Sequence, residues 1–341
     1  MKKIVYVNNI PLGNGHIVIQ SMTNTKTSDI ENTLLQIKEL EKAGCEIIRV
    51  AVKDENDAKA IKTIKENISI PLVADIHFDY KLALLSIENG IDKIRINPGN
   101  MPNEHVIKIV SKCKEKNIPI RIGVNSGSLS QDIVDKFGVT PLGMIEEAKR
   151  EIQLLESLDF YNIILSLKAT DIETFIEANK IASKIFHYPL HIGLTESGTT
   201  LGGNIRSSYA IGTLLKENIG DTIRVSLTGN PVNEIYSAKE ILKMFNKYDA
   251  PTLISCPTCG RCEYNMENII KEIEPFLLNV NKTMKIAIMG CIVNGVGEGR
   301  EADLGIAGGK DCAVLFKKGQ IIKKVKETEI VDELKKAILD Y

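Results

Sequence analysis

The sequence has 341 residues, 43% of them hydrophobic, and a formal net charge of −1. This balance argues against a protein that coats nucleic acid or anionic lipid, so any anion-binding site must be local. The length exceeds that at which single hydrophobic cores usually stop growing, and it predicts one large domain and a smaller one. No stretch approaches the about 20 apolar residues of a membrane span, and the first apolar run is too short for a signal peptide.

Short runs rich in β-branched residues alternate with segments of helical spacing as far as residue 248. The runs cover residues 16–22, 45–52, 70–76, 93–99, 119–125, 162–169, 189–196 and 222–229. Eight strand–helix units predict a (β/α)8 TIM barrel over residues 1–248, with a doubly wound parallel sheet as the alternative. The barrel is favoured because nearly every run ends in a small-polar loop, as expected for a catalytic face at the carboxyl ends of the strands.

Arginine recurs inside the predicted strands, in the patterns Ile-Arg-Val and Ile-Arg-Ile. The cations of this set are Arg49, Arg95, Arg121, Arg224 and, in a fifth strand, Lys168. Barrel interiors normally hold Val, Ile and Leu, and an unpaired buried guanidinium is strongly unfavourable. A single arginine can pair internally or point outward, but two candidate acids, Asp75 and Glu196, cannot neutralise five cations. The set therefore predicts a site for a small polyanion such as a diphosphate.

Further polar residues fall at the ends of the predicted strands. His77 is either structural or part of the anion site. Glu196 is a candidate general acid in a partly dry pocket, where burial would raise its pKa, or a counter-ion for the arginines. The sequence does not separate these two roles.

A smaller α/β unit is predicted over residues 249–341, with a cysteine run at 255–262, a helical stretch, a strand at 285–290 and a Gly-rich loop after it. The loop lacks the G-x-G-x-x-G spacing of a dinucleotide site, so we expect tight packing around a metal. A final charged segment predicts a helix.

Seven cysteines, scattered singly except around residue 259, fit a reducing cytoplasm and thiolates used for metal or redox work. Cys256, Cys259 and Cys262 have C-x2-C-x2-C spacing, and the next cysteine is Cys291. Zinc ribbons usually present two C-x2-C pairs, whereas Cys291 stands alone. An iron–sulfur cluster fits this asymmetry better, and a zinc site with four thiolates is the alternative.

The sequence resembles the 4-hydroxy-3-methylbut-2-enyl diphosphate synthase family over nearly its whole length. The shared motifs are, in order, IQSMTNTKTSD, ADIHF, RINPGN, GVNSGSL, HIGLTESG, SCPTCGR and GCIVNGVGE. The resemblance implies a [4Fe-4S] cluster held by Cys256, Cys259, Cys291 and Glu298, with Cys262 as a nearby free thiol. A carboxylate is a harder donor than a thiolate, so Glu298 would act as a displaceable ligand that leaves one iron open to substrate.

The resemblance also implies a reaction and partners. Methylerythritol cyclodiphosphate would be reduced to 4-hydroxy-3-methylbut-2-enyl diphosphate and water by single electrons from the cluster, with Glu196 as proton donor. Reduced ferredoxin or flavodoxin would resupply the electrons, and a homodimer would bring the cluster domain of one chain to the barrel of its partner. The residues expected to bind the diphosphate are Arg49, His77, Arg95, Arg121, Asn125, Lys168, Arg224 and Ser226.

Two other functions fit parts of the sequence. One is a barrel lyase or transferase with a structural zinc module, and the other is a redox sensor or cluster carrier without enzymatic activity. The second leaves the arginine set unexplained.

Overall fold

The computed structural model describes residues 2–77, 79–262, 264–278 and 280–341. The chain divides into two compact units, Met1–Lys247 and Tyr248–Tyr341. Within the described residues, no helix is both long and apolar enough to cross a membrane.

The first unit is a closed barrel of parallel strands preceded by a hairpin. Its strands are β1 (Val5–Val7), β2 (Ile10–Leu12), β3 (Val18–Met22), β4 (Ile47–Ala51), β5 (Leu72–Asp75), β6 (Lys93–Ile96), β7 (Ile120–Asn125), β8 (Ile163–Lys168), β9 (His191–Ile192) and β10 (Thr222–Ile223). The last eight form one sheet in the order β8-β7-β6-β5-β4-β3-β10-β9. A bridge between Leu165 of β8 and Leu190, next to β9, joins the two ends of that sheet. The predicted (β/α)8 barrel is confirmed, and each predicted run contains one of its strands.

Helices follow the barrel strands and cover the outside of the sheet. They are α1 (Ile30–Ala43), α2 (Glu55–Glu66), α3 (Tyr80–Glu88), α4 (Asn103–Lys116), α5 (Gln131–Phe137), α6 (Pro141–Ser157), α7 (Ile172–Ile185), α8 (Thr200–Lys216) and α9 (Val232–Met244). Several begin at an aspartate whose carboxylate accepts a backbone N–H of the first turn, as Asp54 does from Asn56 and Asp57. These caps fix where each helix starts after its polar strand-end loop.

The hairpin of β1 and β2 closes the amino-terminal end of the barrel. Its Val5, Val7 and Leu12 are fully buried. They pack against the first or second residues of four barrel strands, Val18, Ile47, Val73 and Ile164. The barrel therefore has an apolar floor, and its polar interior lies toward the carboxyl ends of the strands.

The second unit is a five-stranded mixed sheet with helices on both faces. Its elements are β11 (Thr252–Ser255), α10 (Met266–Leu277), β12 (Lys285–Met289), α11 (Ile292–Glu298), β13 (Leu304–Gly309), β14 (Cys312–Lys317), β15 (Gln320–Lys326) and α12 (Ile330–Asp340). The strands lie in sequence order, the first three parallel and the last three antiparallel. Helices α10 and α12 share one apolar core with the sheet, and α11 packs in the other.

The predicted Gly-rich loop after β12 is wrong, because residues 292–298 form helix α11. Glycine has a low intrinsic helix propensity, but tertiary packing overrides it here. A Cβ atom at Gly295 would lie 2.6 Å from Met289 Cβ and 3.1 Å from Ala307 Cβ. The glycine therefore lets the helix approach the sheet closely.

Candidate functional site

The predicted cations lie close enough together inside the barrel to influence one another's pKa values. Arg95 is the direct partner of Asp75 on one side and of Arg121 on the other. Asn125 is paired in the same way with Lys168. Because parallel strands keep their inward-facing residues in layers, the strand-borne Arg and Lys side chains meet in the barrel centre. We call Arg49, Arg95, Arg121, Lys168 and Arg224 the cation layer.

Asp75 is the central acid of the cation layer. Its Oδ1 lies 3.3 Å from Arg95 Nη1, and its Oδ2 lies 3.9 Å from Arg49 Nε and 3.6 Å from His77 Nε2. Burial disfavours the charged carboxylate, but Arg49, the His77 hydrogen bond, Arg95 and Arg121 together hold the pKa of Asp75 well below its ordinary value. Asp75 is therefore a carboxylate shared by at least two guanidinium groups. His77 lies at the rim, with its side chain 58% exposed.

A second acid, Glu234 of α9, was missed in the sequence. Its carboxylate lies 3.4 Å from Arg224 Nε and also accepts hydrogen bonds from Ser21 Oγ and Leu227 N. Glu234 precedes the buried Ala238 by one helical turn, and this position on the inner face of α9 was the available signal. Glu234, together with Asp75, fills the counter-ion role that we considered for Glu196.

Arg121 and Lys168 have no acidic partner among the residues that the structure describes. Arg121 is 1% exposed, and its Nε and Nη1 atoms have no hydrogen-bond partner. Burial, followed by the charges of Arg49 and Arg95, lowers the pKa of Arg121 well below its ordinary value. Burial and the charge of Arg121 act on the pKa of Lys168 in the same direction. The barrel centre therefore contains two buried cations, Arg121 and Lys168, that no acidic side chain of the described residues neutralises.

Glycine makes room for the cation layer in the neighbouring strand. A Cβ atom at Gly123 would lie 2.6 Å from Arg95 Nε. Asn125 and Ser226 lie at the carboxyl ends of their strands and are partly exposed at the mouth of the barrel. All eight residues predicted to bind a diphosphate thus lie inside the barrel or at its carboxyl end.

Glu196 lies in the loop after β9 and is exposed. The expectation of a partly dry pocket around it is therefore wrong in this structure. Its backbone adopts a left-handed conformation with φ of 53°, which is uncommon for glutamate, and its Oε2 accepts a 3.4 Å hydrogen bond from Thr170 Oγ1.

Two buried glutamates of α6 hold the loops that follow β6 and β7. Glu151 Oε1 accepts a hydrogen bond of 3.1 Å from Gly99 N, and Glu147 accepts bonds from the Ser130 N–H and hydroxyl. Burial raises the pKa of Glu151 to about 8, against the effect of the Gly99 hydrogen bond. These contacts fix the loops that follow Asn97 and Asn125.

Two cysteines of the second unit, Cys256 and Cys262, lie beside Gly290. The Gly290 N–H donates a hydrogen bond of 3.1 Å to Cys256 Sγ. A Cβ atom at Gly290 would lie 3.2 Å from Cys262 Sγ and 3.5 Å from Cys256 Sγ. Cys259 is exposed on the same loop, and Cys291 follows Gly290 as the N-cap of α11.

The donor set fits an iron–sulfur cluster, although no three His, Cys, Asp or Glu side chains of the described chain are arranged to hold a metal ion. Thiolates are the ligands such clusters prefer, and a backbone N–H donated to sulfur is a usual feature of their surroundings. Glu298 ends α11, two turns beyond Cys291 and on the same side of the helix. Its side chain leans toward the amino end of the helix, where Cys291 lies.

Comparisons with known proteins identify relatives over the whole chain. Residues 2–239 match the GcpE TIM-barrel domain, and residues 252–340 match the GcpE protein C-terminal domain. A 4-hydroxy-3-methylbut-2-en-1-yl diphosphate synthase (flavodoxin) from Clostridium perfringens (strain 13 / Type A) is 56% identical over 98% of this chain and 97% of its own. The protein of the same name from Bacillus mycoides (strain KBAB4) is 52% identical over 98% of this chain and 93% of its own.

Solved structures of distant proteins share the barrel. Dihydropteroate synthase from Yersinia pestis has a TM-score of 0.52 and 10% identity, and covers 72% of this chain and 98% of its own. The synthase from Stenotrophomonas maltophilia has a TM-score of 0.53 and 12% identity, with 71% and 97% covered. At such identities the likeness shows the fold alone.

Proposed function

The chain belongs to the GcpE family of 4-hydroxy-3-methylbut-2-en-1-yl diphosphate synthases, and from this membership we propose a role for each of its two units. The chain is an enzyme of isoprenoid biosynthesis that converts 2-C-methyl-D-erythritol 2,4-cyclodiphosphate to (E)-4-hydroxy-3-methylbut-2-enyl diphosphate. The conversion opens the ring, releases one oxygen as water and consumes two electrons with two protons.

The cation layer binds the diphosphate of the substrate. The observation that carries this assignment is the pair of buried cations, Arg121 and Lys168, that lack an acidic partner among the described residues. Guanidinium groups recognise phosphate oxygens through paired N–H donors, and a diphosphate brings the negative charge that Asp75 and Glu234 do not supply. Arg49, Arg95 and Arg224 complete the layer, while His77, Asn125 and Ser226 contact the ligand at the mouth.

The second unit carries a [4Fe-4S] cluster with Cys256, Cys259, Cys291 and Glu298 as ligands. The support is the N–H donated to Cys256 Sγ and the position of Glu298 on the helix that begins after Cys291. When bound, the cluster supplies single electrons, which no ordinary side chain provides. Cys262 lies beside Gly290 with its thiol directed to Tyr264 O at 3.2 Å, and it is proposed as a bystander.

The chain's own residues supply position and protons. The cation layer holds the diphosphate in the barrel, so that the carbon skeleton lies toward the carboxyl ends of the strands. Glu196 is the proposed proton donor to the leaving oxygen, because its carboxylate projects from the catalytic-face loop after β9.

Reduced flavodoxin is the proposed electron donor, as the names of the curated relatives specify, with ferredoxin as the alternative. A reducing cytoplasm is the proposed compartment, since the seven cysteines are all free. A homodimer is the proposed active form, in which the cluster unit of one chain serves the barrel of its partner. The short connector at 248–251 limits how far the cluster unit of the same chain can reach.

Anaerobic turnover of the cyclodiphosphate with a chemical reductant tests the activity, with iron and sulfide measured on the same sample. We expect the linear diphosphate as product from protein that contains iron and sulfide. Zinc without iron or sulfide, and no product, would instead support a barrel lyase or transferase with a structural zinc module. Full activity after Arg121→Ala would revive a redox carrier that has no diphosphate site.

Mixing two inactive variants tests the homodimer. Arg121→Met removes the barrel function of one chain, and Cys291→Ser removes the cluster function of the other. If the site combines two chains, random dimers of the mixture recover about a quarter of wild-type activity, because half are mixed and each mixed dimer has one intact site. Recovery of no activity would place both functions in one chain.

A further inference from the structure

The barrel interior remains polar below the cation layer, on the side nearer the floor. Lys93 precedes Arg95 by two residues on β6, so it faces inward one step deeper. The side chains at this depth include Gln20 of β3, Ser166 of β8 and His191 of β9. A TIM barrel normally fills this level with branched apolar residues.

Lys93 is enclosed without a counter-ion. It is 0% exposed, and its Nζ donates a hydrogen bond of 3.1 Å to Gln20 Oε1. Among the described residues, no carboxylate lies within ion-pair distance of this amine. His191 is also fully buried, with Nδ1 2.6 Å from Thr222 Oγ1 and Nε2 without a partner. Lys93 is therefore a buried base whose surroundings oppose a positive charge.

The charged and titratable groups around Lys93 are mostly cations. From the strands that surround it these groups are Arg49, Asp75, Arg95, Arg121, Lys168, His191 and Arg224. Burial is the largest influence on Lys93 and lowers its pKa well below the ordinary value, and the charges of Arg121 and Arg49 lower it further. An anion in the cation layer would act in the opposite direction.

We propose that Lys93 is a charge-compensating residue of the reaction, whose buried amine is unprotonated in the empty barrel and takes up one proton when a diphosphate fills the cation layer. The proton comes from solvent, and no covalent bond to the ligand forms. This inference rests on the proposed diphosphate site. Lys93 then becomes a cation beneath the ligand only when the ligand's negative charge is present.

Protonation of Lys93 would assist the ring opening, because the negative charge of the ligand increases in that reaction. The cyclic diphosphate has two ionised oxygens, whereas the opened product ends in a phosphate that ionises a second time near neutral pH. The product therefore brings more negative charge to the cation layer than the substrate. A protonated Lys93 stabilises that added negative charge. When no ligand is bound, a neutral Lys93 avoids adding another buried, unpaired cation to the barrel.

Calorimetric binding of the cyclodiphosphate to the oxidised holoenzyme, without reductant, tests the proposal. The cyclic ligand itself has no ionisation near neutral pH, so proton uptake measured in buffers of different ionisation enthalpy belongs to the protein. We expect an uptake near one proton at neutral pH. Where that uptake is measured, affinity should fall by up to about tenfold per pH unit as the pH rises.

Three variants identify the residue that takes up the proton. Lys93→Met should bind the ligand without this uptake and with a flatter pH dependence, while His191→Gln and His77→Gln keep it. Binding by wild type without proton uptake overturns the proposal, and so does any uptake that persists in Lys93→Met, because Lys168 or a histidine then takes the proton. If Lys93→Met does not fold, Lys93→Gln is measured in the same way. Failure of the ligand to bind the holoenzyme at all would instead overturn the proposed diphosphate site.

Discussion

The barrel and the cysteine unit prepare their sites in different ways. In the barrel, four of the five cations project from regular strands and Arg224 directly follows β10, and the strand register places Arg95 beside Asp75. In the second unit, Cys256, Cys259 and Cys262 lie on a loop, and Cys291 and Glu298 lie at the two ends of a seven-residue helix. The protein alone forms the first site, whereas we expect the proposed cluster to order the ligands of the second when it binds.

The two sites are therefore stabilised in different ways. The barrel tolerates unpaired cations because the rest of the fold stabilises the strands that carry them, as at functional sites generally. The described residues of the cysteine loop include no buried, unpaired cation, and we expect the proposed cluster to supply the loop's order. Changes in the barrel should therefore trade stability against binding, while changes at the cysteines should decide whether the cluster is present.

The largest effect is expected at Cys291. Cys291→Ser removes a proposed thiolate ligand, so iron and sulfide content and turnover should collapse together while the barrel still binds the cyclodiphosphate. Cys262→Ser is the matched control on the neighbouring loop and should keep both the cluster and near-normal turnover. Equal losses in the two variants would contradict the ligand assignment. Metal analysis and anaerobic turnover measure both.

The next effect is expected at Arg121. Arg121→Met removes several charged hydrogen bonds to the ligand, so kcat/KM should fall by about a thousandfold, or about 4 kcal/mol. The same change removes a buried, unpaired charge, so the free energy of unfolding should rise by about 1–2 kcal/mol. Steady-state kinetics and chemical denaturation check the two signs. A parallel loss of activity and stability would mean that Arg121 is an ordinary structural cation.

A smaller kinetic effect is expected at Glu196. Glu196→Gln keeps the shape but removes the acid, so kcat should fall by about a hundredfold with little change in substrate affinity. Thr170→Val is a useful companion, because it removes the hydrogen bond to the carboxylate and leaves the acid in place. An unchanged kcat in Glu196→Gln would exclude Glu196 as the proton donor.

The smallest effect on turnover is expected at Glu151, where the change appears in stability. The folded chain keeps the Glu151 proton up to about pH 8, whereas the unfolded chain releases it near the ordinary value of 4.5. The folded state therefore binds more protons in between, and its free energy of unfolding falls as pH rises through this range, by at most about 5 kcal/mol. Glu151→Gln should remove that slope. Urea denaturation across the range measures it, and an unchanged slope contradicts the shift.

The barrel was largely predictable from the sequence, because β-branched runs and arginines at repeated strand positions are local signals. The arginine pattern also predicted where negative charge was needed.

Glu234 was not predicted because its partner, Arg224, lies ten residues away on another element, and only the packing of α9 brings them together. Helix α11 was mistaken for a loop because its glycines disfavour a helix until Gly295 is placed against β12. The hairpin was missed because its strands have three residues each.

That hairpin makes the barrel a dead end. With Val5, Val7 and Leu12 covering the rear, the described residues leave the interior open at the opposite rim. A product of the proposed reaction would then leave by the route through which the next substrate enters. Product release must then precede binding of the next substrate, and a product that dissociates slowly would inhibit turnover.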